Sequence, residues 1–263
     1  MAYQTWSSPP PLPNAEAVPE LDVPEPGAQR RWTVLLRWLL LIPQWIVLTI
    51  LGILGFLAVV VGWFAALVLG RLPGPIHSYL AGLLVYQTRV QSYAMLLVDR
   101  YPPFAFDAPE HPVQVELRPA TSLNRLAVFF RLLLMIPAGI VQGLVTQGWY
   151  VVGFFLWLIT LVLGRLPRPA FEATAATVRF SLRFQAYASM LTPAYPKRLF
   201  GDDSLTLTER RSASRPLLLS GGGRALVVLF LLLGLLGSVS TSYENSNGNN
   251  TTTVDQPSSA AGR

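Results

Sequence analysis

Shifting the chain by 94 positions lays one half of it over the other without a gap. Arg37 falls on Arg131, Pro43 on Pro137 and Trp63 on Trp157. Leu69-Gly70-Arg71-Leu72-Pro73 falls on Leu163-Gly164-Arg165-Leu166-Pro167. Further along, Arg89, Gln91, Tyr93 and Tyr101-Pro102 fall on Arg183, Gln185, Tyr187 and Tyr195-Pro196. One register that aligns polar and special residues over about 70 positions marks a tandem duplication, which constrains the fold before local preference does. The two units span residues 30–104 and 125–200 and are joined by a linker at 105–124.

Each unit opens on an apolar run, Val34–Leu69 and Leu126–Gly164, and a third run covers Ala225–Val239. The chain is 52% hydrophobic and 13% charged, against roughly 25% charged in soluble domains. About 20 apolar residues cross the hydrocarbon core of a bilayer, so the composition and the run lengths point to an all-α integral membrane protein. The third run reads as one C-terminal transmembrane helix over 224–241, after a linker at 201–223.

As a straight helix, Val34–Leu69 would extend about 54 Å, well beyond a core about 30 Å thick. Two arrangements follow. One is a hydrophobic helical hairpin turning near Gly52 and Gly55; the other is an interfacial helix up to Pro43 followed by one long kinked span. The second unit carries Gln142, Thr146 and Gln147 at the aligned turn position, where polar groups suit a far interface better than mid-bilayer. A hairpin also gathers Arg30, Arg31, Arg37, Arg71, Arg125, Arg131, Arg165 and Arg168 on one side, as positive-inside bias favours. The hairpin is therefore the expectation, with the amino terminus cytoplasmic, the carboxyl terminus extracytoplasmic, and the protein in the cell inner (plasma) membrane.

The strings that close the apolar runs read as structural turns. Gly70 and Gly164 can end a helix in the left-handed conformation. Arg71 and Arg165 suit the membrane surface, and Pro73 and Pro167 forbid the helix from continuing. The less apolar stretches that follow, Ile76–Val98 and Ala170–Leu191, read as amphipathic interfacial helices with arginine on the polar side. On them Arg89 with Tyr93, and Arg183 with Tyr187, are i, i+4 pairs, and Arg179 precedes Arg183 by one turn. These five residues are candidates for a lipid-headgroup site, the guanidinium taking a phosphate and the tyrosine anchoring at the interface. The plainer reading is a helix held at depth by ordinary Arg and Tyr anchors.

"RWLLLIPQWIVL", "GWFAALVLGRLP" and "RVQSYAMLLVDRYPPF" resemble the bacterial integral membrane family catalogued as domain of unknown function 4389. The second unit keeps Arg131, Pro137, Trp157, Gly164, Arg165, Pro167, Arg183 and Tyr187, and replaces "DRYPPF" by "PAYPKRLF". Any role of Asp99 and Arg100 therefore exists once at most. The resemblance covers about Arg30–Phe200 and implies a membrane location, with no established activity.

The remainder narrows the function classes. A net charge of +6 could suit a nucleic acid, but the arginines flank apolar runs instead of forming a basic face, so no nucleic-acid partner is expected. Positive charge is almost wholly arginine, with Lys197 the single lysine, a weak sign of a bacterial source. There is no cysteine, and His77 and His111 share no metal spacing, so no metal and no cofactor are expected. The absence of GxSxG, HExxH and P-loop strings argues against an enzyme. Residues 1–29, Pro-rich and acidic, and 242–263, polar, read as disordered tails; "VQVEL" and "SLTLTE" could pair as short strands. The expected function is a non-enzymatic structural or interaction component binding the lipid bilayer, a membrane protein partner or a second copy. A small oligomeric transporter or channel is the alternative.

Overall fold

Neither long apolar run reverses: the second folds as one continuous helix and the first does so from Arg37 onward. The computed structural model describes residues 18–117, 123–202 and 212–251, with side chains through Ser240. A short helix α1 (Arg31–Leu35) breaks at Leu36 and leads into α2 (Arg37–Leu69), followed by α3 (Gly74–Ala94), α4 (Arg125–Leu163), α5 (Arg168–Ala188) and α6 (Gly221–Thr251). α2, α4 and the Gly221–Ser240 part of α6 are each long and apolar enough to cross a membrane.

The expected turns near Gly52 and Gly55, and at "VQGLVTQGWY", are absent: those residues lie inside α2 and α4. Glycine in a helix interior costs only about 1 kcal/mol relative to alanine, too little to force a reversal. Gln142 Nε2 donates to Thr146 Oγ1 on the same helix at 2.9 Å, and Gln142 Oε1 is buried with no hydrogen-bond partner among the described residues. The alternative, an interfacial helix that ends at Pro43 before one long span, is not adopted as such either: α2 and α4 run unbroken through Pro43 and Pro137.

A helical hairpin does exist in each unit, but it turns at the Gly-Arg-Leu-Pro string. Gly70 and Gly164 take φ of 69° and 68° and cap α2 and α4, as their sequence suggests. Their N–H groups donate to Ala66 and Thr160 carbonyls at 2.9 and 2.8 Å. α3 then runs back along α2: Tyr79 meets the Leu51 carbonyl, Tyr86 meets Gln44 and Tyr93 meets Arg37. α5 returns along α4 in the same way, from Trp149–Thr174 to Arg131–Tyr187.

The two units are related by an antiparallel crossing of contacts. Trp63 Nε1 donates to the Val128 carbonyl at 3.2 Å, and its counterpart Trp157 donates to the Val34 carbonyl at 2.7 Å. Leu123 N–H donates to the Gly70 carbonyl and Gln29 N–H to the Gly164 carbonyl, at 2.9 and 2.7 Å. Each pair is one contact seen twice under the 94-residue shift. The start of α2 thus lies by the end of α4 and the reverse, so the long helices run antiparallel about a local twofold perpendicular to them. This arrangement corrects the expected sorting of arginines. Arg30, Arg31, Arg37, Arg165 and Arg168 gather at one end of the pair, while Arg71, Arg125 and Arg131 gather at the other.

α6 packs antiparallel on α4 at backbone contact. A Cβ on Gly148 would run into the Phe230 carbonyl oxygen, and one on Gly234 into that of Leu144. Glycine is what permits this approach, as in close-packed membrane helices. The helix continues to Thr251, ten residues past the expected end at 241; residues 252–263 of the expected tail lie outside the described residues.

Across α3 and α5 from the apolar helices sits a polar cap. β1 (Glu20–Asp22) pairs antiparallel with β2 (Gln114–Glu116), with Leu21 opposite Val115. "VQVEL" therefore pairs with the amino-terminal segment; "SLTLTE", at 204–209, lies outside the described residues. Residues 18–29 do not behave as a tail, since Leu21 and Val23 are fully buried and Gln29 nearly so. Residues 1–17 lie outside the described residues. Arg215 ties the strands together, reaching Glu20 and Asp22 at 3.3 Å and Glu116 at 2.5 Å.

Candidate functional site

The five residues expected at a headgroup site are buried inside the chain. Arg89, Tyr93, Arg179, Arg183 and Tyr187 expose between 1% and 4% of their surface. The expectation of surface helices fails for a physical reason: α5 has an apolar face and an arginine face, and protein covers both. Thr174 and Phe184 face α4, whereas Arg179 and Arg183 turn to the cap. A phosphate at a bilayer surface and a polar protein layer ask for the same periodic pattern, so the pattern alone could not separate them.

The structure also re-pairs these residues. Tyr93 does not work with Arg89; it stacks under Arg37 of α2, with the guanidinium carbon 4.4 Å from the ring centre. Tyr187 holds Arg131 of α4 in the same way at 4.3 Å. In both units the guanidinium also donates to the tyrosine's own backbone carbonyl at 2.7 Å. Cation–π contacts are worth about 2 kcal/mol or more when desolvated, and here each fastens the start of a long helix to the end of its return helix. The sequence places Arg37 and Arg131 only among the arginines that flank the apolar runs. The signal that could have found them is their retention under the shift together with Tyr93 and Tyr187.

The chain turn that completes each cage repeats as well. Leu96 and Met190, 94 residues apart, take φ of 66° and 60° although neither is glycine. Leu97 and Leu191 N–H groups close back onto Ser92 and Ala186 carbonyls at 3.0 and 2.9 Å. A left-handed non-glycine residue costs roughly 1–2 kcal/mol, offset here by packing, since both side chains are buried.

Charge balance distinguishes the two cages. Arg37 meets Asp99 at 3.4 Å and Gln29 at 2.9 Å, and Asp99 also accepts from Thr33 and from the Arg30 N–H. The aligned position in the second unit is Pro193, and Arg131 instead donates to the Thr192 carbonyl at 3.1 Å. Asp99 thus serves an arginine of its own unit. Arg100 donates to the Glu110 carbonyl at 2.8 Å.

Arg89, Arg179 and Arg183 hold the cap in place. Arg89 donates to the Phe106 carbonyl at 2.9 Å, and Arg183 to the Pro19 and Lys197 carbonyls at 3.2 and 3.3 Å. Burial, followed by the neighbouring Arg179, lowers the Arg183 guanidinium to about 10. Arg179 meets Asp202 at 2.6 Å, and Asp202 also accepts from the Leu217 N–H at 3.1 Å. Burial pushes the Asp202 carboxyl up, but Arg179, the Leu217 amide and Arg183 together hold it below its ordinary value. His111, 3% exposed, is pushed down chiefly by burial. No group of three metal-ligating side chains occurs among the described residues.

Residues 31–105 and 125–199 each match the family described as Domain of unknown function (DUF4389). The chain belongs to this family. Its two copies coincide with the two antiparallel hairpins, each running from the start of a long helix through its arginine–tyrosine cage. No curated protein and no solved structure matches the chain.

Proposed function

We propose that this DUF4389 protein is a non-enzymatic structural component of the bacterial inner (plasma) membrane, and that it holds bilayer lipid against its long helices. The observation that carries the reading is the exposed apolar stripe of α2. Leu39, Ile46, Ile53, Leu57, Phe64 and Val68 are all between 54% and 71% exposed and recur at helical spacing. α4 and α6 carry comparable faces, including Phe154, Val162 and Leu236. Exposed apolar area on this scale is not stable in water. The buried arginines support the reading from the other side, because their hydrogen bonds are made within the chain. The test is flotation with lipid vesicles after an alkaline carbonate wash. The protein is expected to stay with the vesicles, and Ile46→Glu with Ile53→Glu is expected to reduce the bound fraction at least tenfold. Release of the unmodified protein by carbonate would remove the proposal.

A second reading, a small transporter or channel, draws on the antiparallel relation of the repeats, a symmetry that many transporters share. It ranks behind because Thr49 donates to the Trp45 carbonyl at 2.7 Å and Gln142 Nε2 donates to Thr146 Oγ1, while Gln142 Oε1, buried with no hydrogen-bond partner among the described residues, is the group that favours it. Solute flux in proteoliposomes that disappears with Gln142→Leu would reverse the ranking.

A further inference from the structure

We infer that α2, α4 and α6 lie along the membrane plane, sunk into one leaflet, with the polar cap on the water side. The inference rests on the lipid-binding reading above and adds to it a mode of attachment, in which the partner surface is a single leaflet.

The position of the cap carries the argument. α3 and α5 run lengthwise along α2 and α4, and the cap is attached to their flank, not to an end. Arg179, at the middle of α5, meets Asp202 of the cap, and Arg183 meets the backbone just before β1. If the long helices stood across the bilayer, the cap would sit beside them at bilayer depth. It carries Glu20, Asp22, Glu116, Arg198, Asp202 and Arg215, and all of these have solvent-exposed surface. Each exposed ionised side chain at that depth costs about 2.5 kcal/mol or more. Laid flat, the same molecule places every one of them in water.

Helix length points the same way. α2 and α4 contain 33 and 39 residues, or about 50 and 58 Å of helix, against a core of about 30 Å. The exposed face of α2 from Leu39 to Val68 is apolar but for Thr49, whose hydroxyl donates to the Trp45 carbonyl of the same helix. Exposed arginines sit at both ends of the long-helix pair: Arg30, Arg31, Arg165 and Arg168 at one, Arg71 and Arg125 at the other. An upright molecule would divide them between two membrane faces. A flat molecule puts them all at one headgroup layer, where anionic lipid favours them.

The native chain has no cysteine, so single cysteines report cleanly. Gly221 and Gly74 mark opposite ends of the pair, and nothing lies within 4 Å of a Cβ added at either. With Gly221→Cys and Gly74→Cys, a membrane-impermeant maleimide is expected to label both sites from the same side of the membrane. Spin labels at Leu39→Cys, Ile53→Cys and Val68→Cys are expected to report one common depth. Labelling of the two ends from opposite sides, or a depth gradient along the stripe, would overturn the flat arrangement while leaving membrane residence intact. Recovery of a carbonate-soluble dimer with the stripes covered would overturn both this inference and the lipid-binding proposal.

Discussion

Trp157 donates its indole N–H to the Val34 carbonyl at 2.7 Å, and that bond joins the end of the long helix of one repeat to the start of the other repeat. Trp63 makes the reciprocal bond to Val128. Two tryptophans at equivalent positions thereby fix the antiparallel pairing of the units, because each can be satisfied only if the other repeat is inverted. We expect Trp63→Phe and Trp157→Phe each to cost about 1 kcal/mol, the net worth of a protein hydrogen bond. Their effects should add within about 0.5 kcal/mol, since the bonds lie at opposite ends of the pair. Denaturant unfolding in detergent micelles measures both; strong non-additivity would mean that the two ends are mechanically coupled.

The cages should respond unequally to loss of their arginines. Arg37→Met leaves Asp99 without its arginine, whereas Arg131→Met has no carboxylate neighbour to leave behind among the described residues. Breaking a buried pair from one side costs about 3–5 kcal/mol, reduced here because the Asp99 side chain is 22% exposed. The expected order is Arg37→Met more destabilising than Arg131→Met, with Arg37→Met/Asp99→Asn recovering part of the loss. A double-mutant cycle on thermal unfolding gives the coupling directly.

Packing of α6 should depend on two glycines. Gly148→Ala and Gly234→Ala would each press a methyl into a facing backbone carbonyl, and overpacking costs roughly 1–3 kcal/mol or more. Gly52→Ala and Gly143→Ala meet nothing within 4 Å and should be neutral or slightly stabilising. Protease sensitivity of the 212–224 segment, compared across the four variants, separates the two classes.

The cap should weaken on acidification. His111 is held below its ordinary value in the fold, so the unfolded chain binds its proton first. Stability is complete above the unfolded value near 6.5 and falls as pH drops toward the lower folded value. Asp202, also depressed, adds a second loss below about pH 4, where its unfolded form takes a proton. Exchange protection of the Leu217 amide, which donates to Asp202, follows both steps. His111→Gln should remove the upper step, and Asp202→Asn the lower.

The duplication, the three apolar helices and the ends of two of them are legible in the residues alone. A left-handed glycine followed by Arg-Leu-Pro stops a helix for local reasons, and Gly70 and Gly164 stop theirs as those reasons require. What faces what was decided only by tertiary structure. An arginine on a helix reports that its face is not lipid tail. It does not say whether water, a headgroup or a tyrosine from another helix covers it. Arg89, Arg179 and Arg183 looked like headgroup ligands for that reason, and they turned out to anchor the cap. Arg37 and Arg131 read only as arginines flanking the apolar runs, and they close the cages through Tyr93 and Tyr187, whose rings stand 56 residues away in the chain. The turn at mid-run failed for a related reason. A long apolar run has no local stop signal, and whether it reverses depends on a surface to pack against, which α3, α5 and α6 supply only once folded.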